Sequence, residues 1–314
     1  MDSSFRWDDG MKQALELPGR PIDPARALRL TRAMPEASRP RPAWLAPPDG
    51  SRDRRVDDPT NVWVVHLAGR ALLPLALKAR IPANAVSLGG LVLGTGAAAA
   101  FLGWRHPGLA SLGFLLCLSW LVLDGLDGMV ARATGTARAL GRFLDGAVDH
   151  GVFLLLYLAL GASLGTPEAW IAGTLAGIAH GVQSSLYEGE RARYHRRLRG
   201  DPGGERPPPS PYRLGRLYDA VAGSLDRLAR RFDSVLAAAP DRRALGEAYA
   251  RAAGPALRLM NLLSANTRII LLYAACLAGA PMLFWWAELG PLTLIAAGAM
   301  IWHRRIEKRL AGAA

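Results

Sequence analysis

Long apolar runs alternate with shorter polar joints through most of the chain. Each run approaches the roughly 20 apolar residues that a helix needs to cross a bilayer. The six runs cover residues 85–104, 109–131, 143–164, 168–186, 267–286 and 289–303. The pattern therefore predicts an all-α, polytopic membrane protein with six transmembrane helices.

Two stretches before the first run break this pattern. Residues 1–60 are rich in Arg, Asp and Pro and poor in β-branched residues, which predicts a largely disordered cytoplasmic arm. Residues 61–80 are apolar but are interrupted by Arg70, Pro74 and Lys78. Such a stretch is too broken for a span and predicts an N-terminal interfacial helix lying on the membrane surface.

A long insertion separates the fourth and fifth runs. Residues 189–264 begin as a basic, Pro/Gly-rich linker. Apolar residues then recur at three- and four-residue steps from Leu214 to Val235, and a second helix is predicted over 243–263. We expect these cytoplasmic amphipathic helices to dock on the membrane surface. The predicted organisation is thus an arm at 1–60, an interfacial helix with four spans at 61–188, the insertion at 189–264, and two spans with a basic end at 265–314.

Charge adds an orientation to this picture. The chain has 314 residues, is half apolar and carries a net charge of +12. Arg and Lys cluster after the second, fourth and sixth runs, so the positive-inside rule predicts both termini on the cytoplasmic side of a bacterial-type inner membrane. No aromatic and basic platform accompanies the charge, so a nucleic-acid partner is not expected. Cys117 and Cys276 lie inside apolar runs, where neither a disulfide framework nor a zinc site is indicated.

Candidate chemistry is concentrated at the joint between the second and third runs. Four carboxylates stand there, Asp124, Asp127, Asp145 and Asp149. The spacings of three and four residues place each pair on one face of a helix, so two helices could turn all four toward one point. Like charges that close require a cation between them, and hard divalent cations prefer oxygen ligands. The sequence therefore predicts a Mg²⁺ or Mn²⁺ site at the cytoplasmic end of the spans.

Small residues and one arginine surround these acids. Gly128, Ala131 and Gly141 allow helices to approach closely and leave room for a bulky ligand. Arg132 offers a planar, permanently charged fork that suits phosphate. Acids, small residues and arginine together predict metal-assisted phosphoryl transfer.

The spacing of these residues carries a family resemblance. Residues 124–149 follow the pattern D-x2-D-G-x2-A-R-x8-G-x3-D-x3-D at every fixed position. This pattern resembles the signature of the CDP-alcohol phosphotransferase, or CDP-alcohol phosphatidyltransferase, family. The resemblance implies a transferase of phospholipid biosynthesis that moves a phosphatidyl group from CDP-diacylglycerol to a hydroxyl acceptor and releases CMP. It also implies a bilayer-embedded enzyme that often forms a homodimer.

The resemblance assigns roles to particular residues. Asp124, Asp127 and Asp145 are implied metal ligands, and Asp149 is the implied general base, with a role as metal ligand alone as the alternative. The implied substrate-binding residues, including the Pro-x-Asn element that enters the first span, are Asn84, Gly128, Ala131, Arg132, Arg138, Gly141 and His150. The chain departs from many members at two of these places. Arg138 stands where a Ser or Thr is common, and His150 stands where an Arg often follows the last acid.

Several alternatives stay open at this point. The donor could be a soluble CDP-alcohol used with a lipid or polyol acceptor. A cation transporter could use the acids as its transport site, although such carriers show paired broken helices in both halves and the acids stand in one half only. Three polar residues of the fourth run, His180, Ser184 and Glu188, share one helix face. We interpret them as interhelical hydrogen-bond formers, with an acceptor pocket as the alternative.

Overall fold

The structure is all-α over the residues that it describes. The computed structural model describes residues 53, 55–136, 139–203 and 231–313, with only the backbone described for residues 139–145 and 313. The predicted arm at 1–52, and most of the predicted amphipathic helix at 214–235, lie outside these residues. The helices, in chain order, are α1 His66–Lys78, α2 Ala83–Leu102, α3 Pro107–Ala133, α4 Ala139–Leu164, α5 Pro167–Leu198, α6 Arg242–Met260, α7 Ala265–Leu277, α8 Met282–Ala287 and α9 Thr293–Ala313.

Four segments are long and apolar enough to cross a membrane. They are Ala83–Leu102, Pro107–Ala133, Gly146–Leu164 and Met282–Gly312. A fifth candidate is the pair Arg242–Leu263 and Ala265–Leu277, which is bent by 43°. The described chain is therefore a polytopic membrane protein with four or five candidate spans, and the first three predicted spans coincide with α2, α3 and α4.

The fifth and sixth predicted spans have the wrong boundaries. The run 267–286 is split, because α7 ends before Gly279 and α8 begins only at Met282. Gly279 adopts a left-handed backbone with φ of +72°, which suits a helix C-terminus, and Pro281 then begins the next helix. From Met282 the chain stays helical to Gly312 through a π-helical turn at Glu288–Leu292. The last span thus starts earlier and runs longer than predicted.

Helix α5 differs from the predicted fourth span in length and polarity. It continues beyond residue 186 to Leu198, through much of the stretch predicted as a basic linker, and ends before Gly200, whose φ is +73°. It is not among the helices apolar enough to cross a membrane in the described chain. The physical reason is the run of charged residues that makes its second half polar.

Helix α2 packs against both α3 and α4. Glycines on α2 make these contacts close. A Cβ placed on Gly94 would lie 2.3 Å from a methyl carbon of Val152 on α4, and one on Gly90 would lie 3.2 Å from the Trp120 ring on α3. The small residues of α2 therefore set the distances between the two helices that carry the predicted acids.

The first helix packs beside this core. Its π-helical turn at Asn61–Val65 leads into α1, which contacts α3. Gly69 meets the end of the Met129 side chain, at 3.3 Å from a built Cβ. The opposite side is apolar and exposed, with Trp63 75% and Leu75 64% exposed. That exposed face agrees with the predicted interfacial helix, whose position at a membrane surface stays a prediction.

The insertion packs on the protein itself where the structure describes it. Residues 231–238 are helical, and Phe232 and Leu236 are buried in a cluster with Tyr194 and Tyr249. The second predicted helix lies at Arg242–Met260 and packs against α5 and α9. The described end of the predicted amphipathic face is therefore covered by the protein's own helices.

Buried charges join these cytoplasmic elements. The Arg197 Nε atom donates to Asp233 at 2.7 Å, and its Nη1 donates to Glu307. His303 Nδ1 lies 2.8 Å from Glu190 Oε2, and Arg304 Nη1 donates to Glu307 at 2.6 Å. These contacts link α5 to the insertion and to α9 through side chains that are almost fully buried.

A second buried ion pair lies deeper in the bundle. Arg268 Nε on α7 donates to Glu288 Oε1 at 2.9 Å, and both residues are fully buried. Gln183 on α5 accepts from Arg268 Nη2 at 2.8 Å and donates to the Glu288 carbonyl at 2.9 Å. The pair therefore ties α7 and the π-helical turn to the wall formed by α5.

Candidate active site

The motif acids follow the end of α3 and the start of α4. Asp124 and Asp127 lie in the last three turns of α3, and Asp149 lies in the third turn of α4. Helix α3 stops at Ala133 because Thr134 turns its hydroxyl back to the Val130 carbonyl at 2.8 Å, and Gly135 then takes a φ of +66°. This short reversal returns the chain toward the membrane a few residues after the first acid pair.

Asp127 is the most deeply buried of the described acids. It is 6% exposed, and its Oδ2 accepts a hydrogen bond from the Ser87 hydroxyl on α2. The same hydroxyl lies 3.2 Å from the Ala83 carbonyl. The first turns of α2 thus hold the orientation of a carboxylate on α3.

The motif glycine and arginine of α3 lie against each other. A Cβ built on Gly128 would meet Arg132 Nη1 at 3.2 Å, so the guanidinium folds back over the glycine. Arg132 is exposed at the end of the helix. A larger residue at position 128 would displace this cation from its place one turn beyond Asp127.

A cavity of about 670 Å³ opens beside the other two described acids. Asp124 and Asp149 line one end of it, together with His150, Ser184, Glu188 and Arg191. The rest runs between α4 and α5 and is walled by apolar and glycine residues. Those residues include Leu154, Leu158, Gly161, Trp170, Gly173, Gly177 and Ile178.

The remaining predicted residues occupy varied positions. Asn84 is exposed in the first turn of α2, and Ala131 is partly buried on α3. His150 is exposed, and its Nδ1 lies 2.7 Å from the Gly146 carbonyl. Of these three, His150 lines the cavity. For Asp145 and Gly141 the structure describes only a helical backbone, and Arg138 lies outside the described residues.

Two groups in this region were not given a site role by the sequence pattern. Ser87 had been read as a helix cap, and its proximity to Asp127, 40 residues away, depends on the packing of α2 on α3. His180, Ser184 and Glu188 line the cavity, while their neighbour Gln183 makes the interhelical hydrogen bonds. The four-residue spacing was the signal for the shared face, and the packing of α4 decided which way that face points.

The donor set at the acids fits a hard divalent cation. Asp124, Asp127 and Asp149 offer only carboxylate oxygens, the ligands that Mg²⁺ and Mn²⁺ prefer. Their helices are closely packed through α2, and two of the three carboxylates face the cavity. These residues therefore suit a cation that also meets a phosphate group entering from the cavity.

A second acidic group lies elsewhere in the described chain. Ligand atoms of Glu190, His303 and Glu307 lie within 4.8 Å of one another and are buried. Arginines bind this group directly, because Arg304 donates to both glutamates and Arg197 donates to Glu307. Burial raises the pKa of Glu190, but the hydrogen bond from His303 and the charges of Arg193 and Arg304 outweigh it, so the pKa lies below its usual value. A cluster already neutralised by guanidinium groups is a structural ion network rather than a metal site.

Comparison with known families supports the chemistry of the first site. Residues 80–193, which include the motif acids and the helices that line the cavity, match the family described as CDP-alcohol phosphatidyltransferase. Comparison with curated proteins and with solved structures finds no match. Over residues 80–193 the chain therefore belongs to the CDP-alcohol phosphatidyltransferase family, and it is an enzyme of that family.

Proposed function

We propose that the enzyme transfers a phosphatidyl group from CDP-diacylglycerol to a hydroxyl acceptor and releases CMP. One observation carries the choice of a lipid donor. The cavity has Asp124 and Asp149 at one end, and its other end is walled by apolar side chains that are themselves exposed, such as Leu154 at 59% and Ile178 at 62%. Exposed apolar walls in a membrane protein open toward lipid, and they suit an acyl chain better than a soluble donor.

The dimensions of the cavity agree with this choice. Twelve residues of α4 separate Asp149 from Gly161, and both line the cavity. At the helical rise of 1.5 Å per residue this is about 18 Å, enough for much of an extended acyl chain. Glycines at 173 and 177 of α5 keep this length free of side chains. The phosphate end of the donor would then lie at the acids.

The acids would hold the divalent cation that the family resemblance implies. Asp124, Asp127 and Asp145 are the proposed ligands, with Asp149 as a further ligand or as the base alone. A bound Mg²⁺ or Mn²⁺ would offset the negative charge of the donor's pyrophosphate. Ser87 would keep the Asp127 carboxylate in a fixed orientation, as partners of metal-binding carboxylates usually do.

The reaction would proceed at the polar end of the cavity. Asp149 would accept the proton of the acceptor hydroxyl, whose oxygen attacks the phosphorus that carries the diacylglycerol group. The new bond joins this oxygen to phosphorus, and the bond from phosphorus to the CMP oxygen breaks, with the electron pair leaving on CMP. Arg132, held against Gly128 at the end of α3, would bind phosphate oxygens of the nucleotide. Asn84, Ala131, Arg138, Gly141 and His150 are the other proposed substrate contacts.

The location of this reaction follows from the charge distribution. Arginines crowd the ends of α3, α5 and α9, which favours the cytoplasmic face of a bacterial-type inner membrane for the acids and both termini. CDP-linked substrates are present on that side. The site proposed here lies within one chain, and a homodimer stays a prediction from the resemblance.

The decisive experiment supplies the purified enzyme with labelled CDP-diacylglycerol and a panel of alcohols, in Mg²⁺. We expect stoichiometric CMP and a labelled phospholipid identified by mass. An Asp149→Asn variant should lose both products while it still inserts into membranes. Turnover of CDP-choline or CDP-inositol, but not of CDP-diacylglycerol, would instead favour the alternative of a soluble donor with a lipid or polyol acceptor.

A further inference from the structure

A row of three polar side chains on α5 lines the polar end of the cavity. His180, Ser184 and Glu188 lie at four-residue intervals, so they share one face of the helix. Across the cavity from them stand Asp149 and Asp124, the proposed base and one proposed metal ligand. A molecule bound along this row would therefore lie next to the reacting groups.

The hydrogen-bonding capacity of this row is not used within the protein. In the described part of the chain, Ser184 and Glu188 form no hydrogen bond with another protein group. The adjacent Ser185, by contrast, donates to the Gly181 carbonyl at 2.7 Å. Polar groups that line a cavity without a partner are suited to bind a ligand.

His180 adds a directional feature to the row. It is 8% exposed, and its Nδ1 lies 3.3 Å from the hydroxyl oxygen of Tyr157. That hydroxyl donates its own proton to Glu288 Oε1 at 3.1 Å, so Nδ1 must be the donor to Tyr157. The other ring nitrogen, Nε2, is then a hydrogen-bond acceptor in a cavity-lining side chain. The row thus presents an imidazole nitrogen, a hydroxyl and a carboxylate, which together suit a partner that donates several hydrogen bonds.

The charges around the row disfavour a phosphate on that partner. Among the described residues that line the cavity, Arg191 is the single Arg or Lys. Its Nη2 lies 3.8 Å from Asp57 Oδ1, and the carboxylate of Glu188 stands one turn away on the same helix. A phosphate monoester here would meet a carboxylate in the row and a guanidinium already shared with an acid.

We infer that His180, Ser184 and Glu188 bind the acceptor, and that the acceptor is an uncharged, hydroxyl-rich compound without a phosphate group. This inference rests on the proposed function, because it names the second substrate of the same site. Hydroxyl groups of the acceptor would donate to His180 Nε2 and to the Glu188 carboxylate, and one would face Asp149.

The test compares matched acceptors under saturating CDP-diacylglycerol. Inositol and glycerol are each paired with their monophosphates, and CMP release and the mass of the lipid product are measured. We expect the unphosphorylated member of at least one pair to be used with a kcat/KM at least tenfold higher than its monophosphate. A preference for the monophosphates would overturn the inference and leave the proposed function standing. Absence of CMP release with all four compounds would overturn the proposed function itself.

Variants of the row separate binding from structure. Ser184→Ala should raise the KM of the acceptor by roughly fivefold, the effect of one lost hydrogen bond, with the KM of the donor unchanged. Ser185→Ala, on the same helix but bonded to its own backbone, is the matched control and should leave both constants unchanged. Glu188→Gln should narrow the gap between a polyol and its monophosphate, because it removes the opposing charge. Equal effects of the two serine variants, or a gap unchanged in Glu188→Gln, would refute the assignment.

Discussion

The hydroxyl of Ser87 on α2 donates a hydrogen bond to the carboxylate of Asp127 on α3, at a position where Asp127 is only 6% exposed. The two residues lie 40 positions apart, and the contact exists because α2 packs closely on α3. A buried carboxylate with a fixed hydroxyl partner is held in one orientation before any ligand arrives. This pairing makes Asp127 the most constrained of the described acids.

Changes at this pair should have graded effects on turnover. Asp127→Asn should reduce CMP release to below about one-hundredth of wild type, because charge stabilisation at a metal site is worth several kcal/mol. Ser87→Ala keeps the carboxylate but releases it, so a loss of roughly 10-fold or more is expected, as for partners of metal ligands generally. Membrane insertion and thermal stability, measured in the same preparations, should change little. Wild-type turnover in Asp127→Asn would rule out its proposed role.

Removal of divalent cations should silence the enzyme reversibly. The donor set at Asp124, Asp127 and Asp149 consists of oxygens, so EDTA should abolish CMP release, and Mg²⁺ or Mn²⁺ should restore it. Zn²⁺, which prefers nitrogen and sulfur ligands, should restore less. Activity that persists after exhaustive chelation, with metal content verified, would contradict a metal-dependent mechanism.

The contact between α2 and α4 should be intolerant of added volume. Gly94→Ala places a Cβ about 2.3 Å from a Val152 methyl carbon, which forces the helices apart. We expect a destabilisation of about 1–3 kcal/mol, typical of an overpacked core, seen as a lower unfolding midpoint in detergent. Gly96→Ala on the same helix is the control, because its Cβ would meet Leu116 at an ordinary 3.4 Å.

A compensating change sharpens this prediction. Val152→Ala removes the methyl groups that a Cβ at position 94 would strike. The double variant Gly94→Ala/Val152→Ala should therefore recover part of the lost stability. If the two single effects simply add, the close approach between these residues is not the cause.

Filling the cavity should discriminate between donors by chain length. A Cβ on Gly181 would meet no side chain or neighbouring backbone within 4 Å, and Gly181 lines the cavity. Gly181→Leu should therefore fold and should project into the space proposed for the lipid. We expect kcat/KM to fall for long-chain CDP-diacylglycerol and much less for a short-chain analogue. Gly189→Leu, on the same helix and outside the cavity lining, should behave as wild type.

The local chemistry was readable in the sequence because it depends on spacing within helices. The interval between Asp124 and Asp127 fixes a shared helix face wherever the helix lies, and the match of residues 80–193 to the family confirms the family predicted from that motif. The position of Ser87 beside Asp127 was not readable, since it depends on how α2 packs on α3. Contacts between distant segments leave no periodic signal in one sequence.

Span boundaries in the second half failed for a different reason. The run 267–286 is continuously apolar, so hydropathy alone gives one helix, whereas Gly279 and Pro281 divide it. Helix α5 was cut short because its polar second half resembles a linker. That half is helical because Tyr194 and Arg197 are buried against the insertion and α9, which composition alone does not reveal.

The ion network at the end of α5 has a consequence for how the enzyme can be dissected. The family match ends at residue 193, yet Glu190 is held by His303 and Arg304 of α9. Excising residues 80–193 would strand a buried carboxylate without its counter-charges and strip the helix that walls the cavity. The catalytic half is therefore not an autonomous folding unit, and truncations aimed at a minimal enzyme must keep the C-terminal helix.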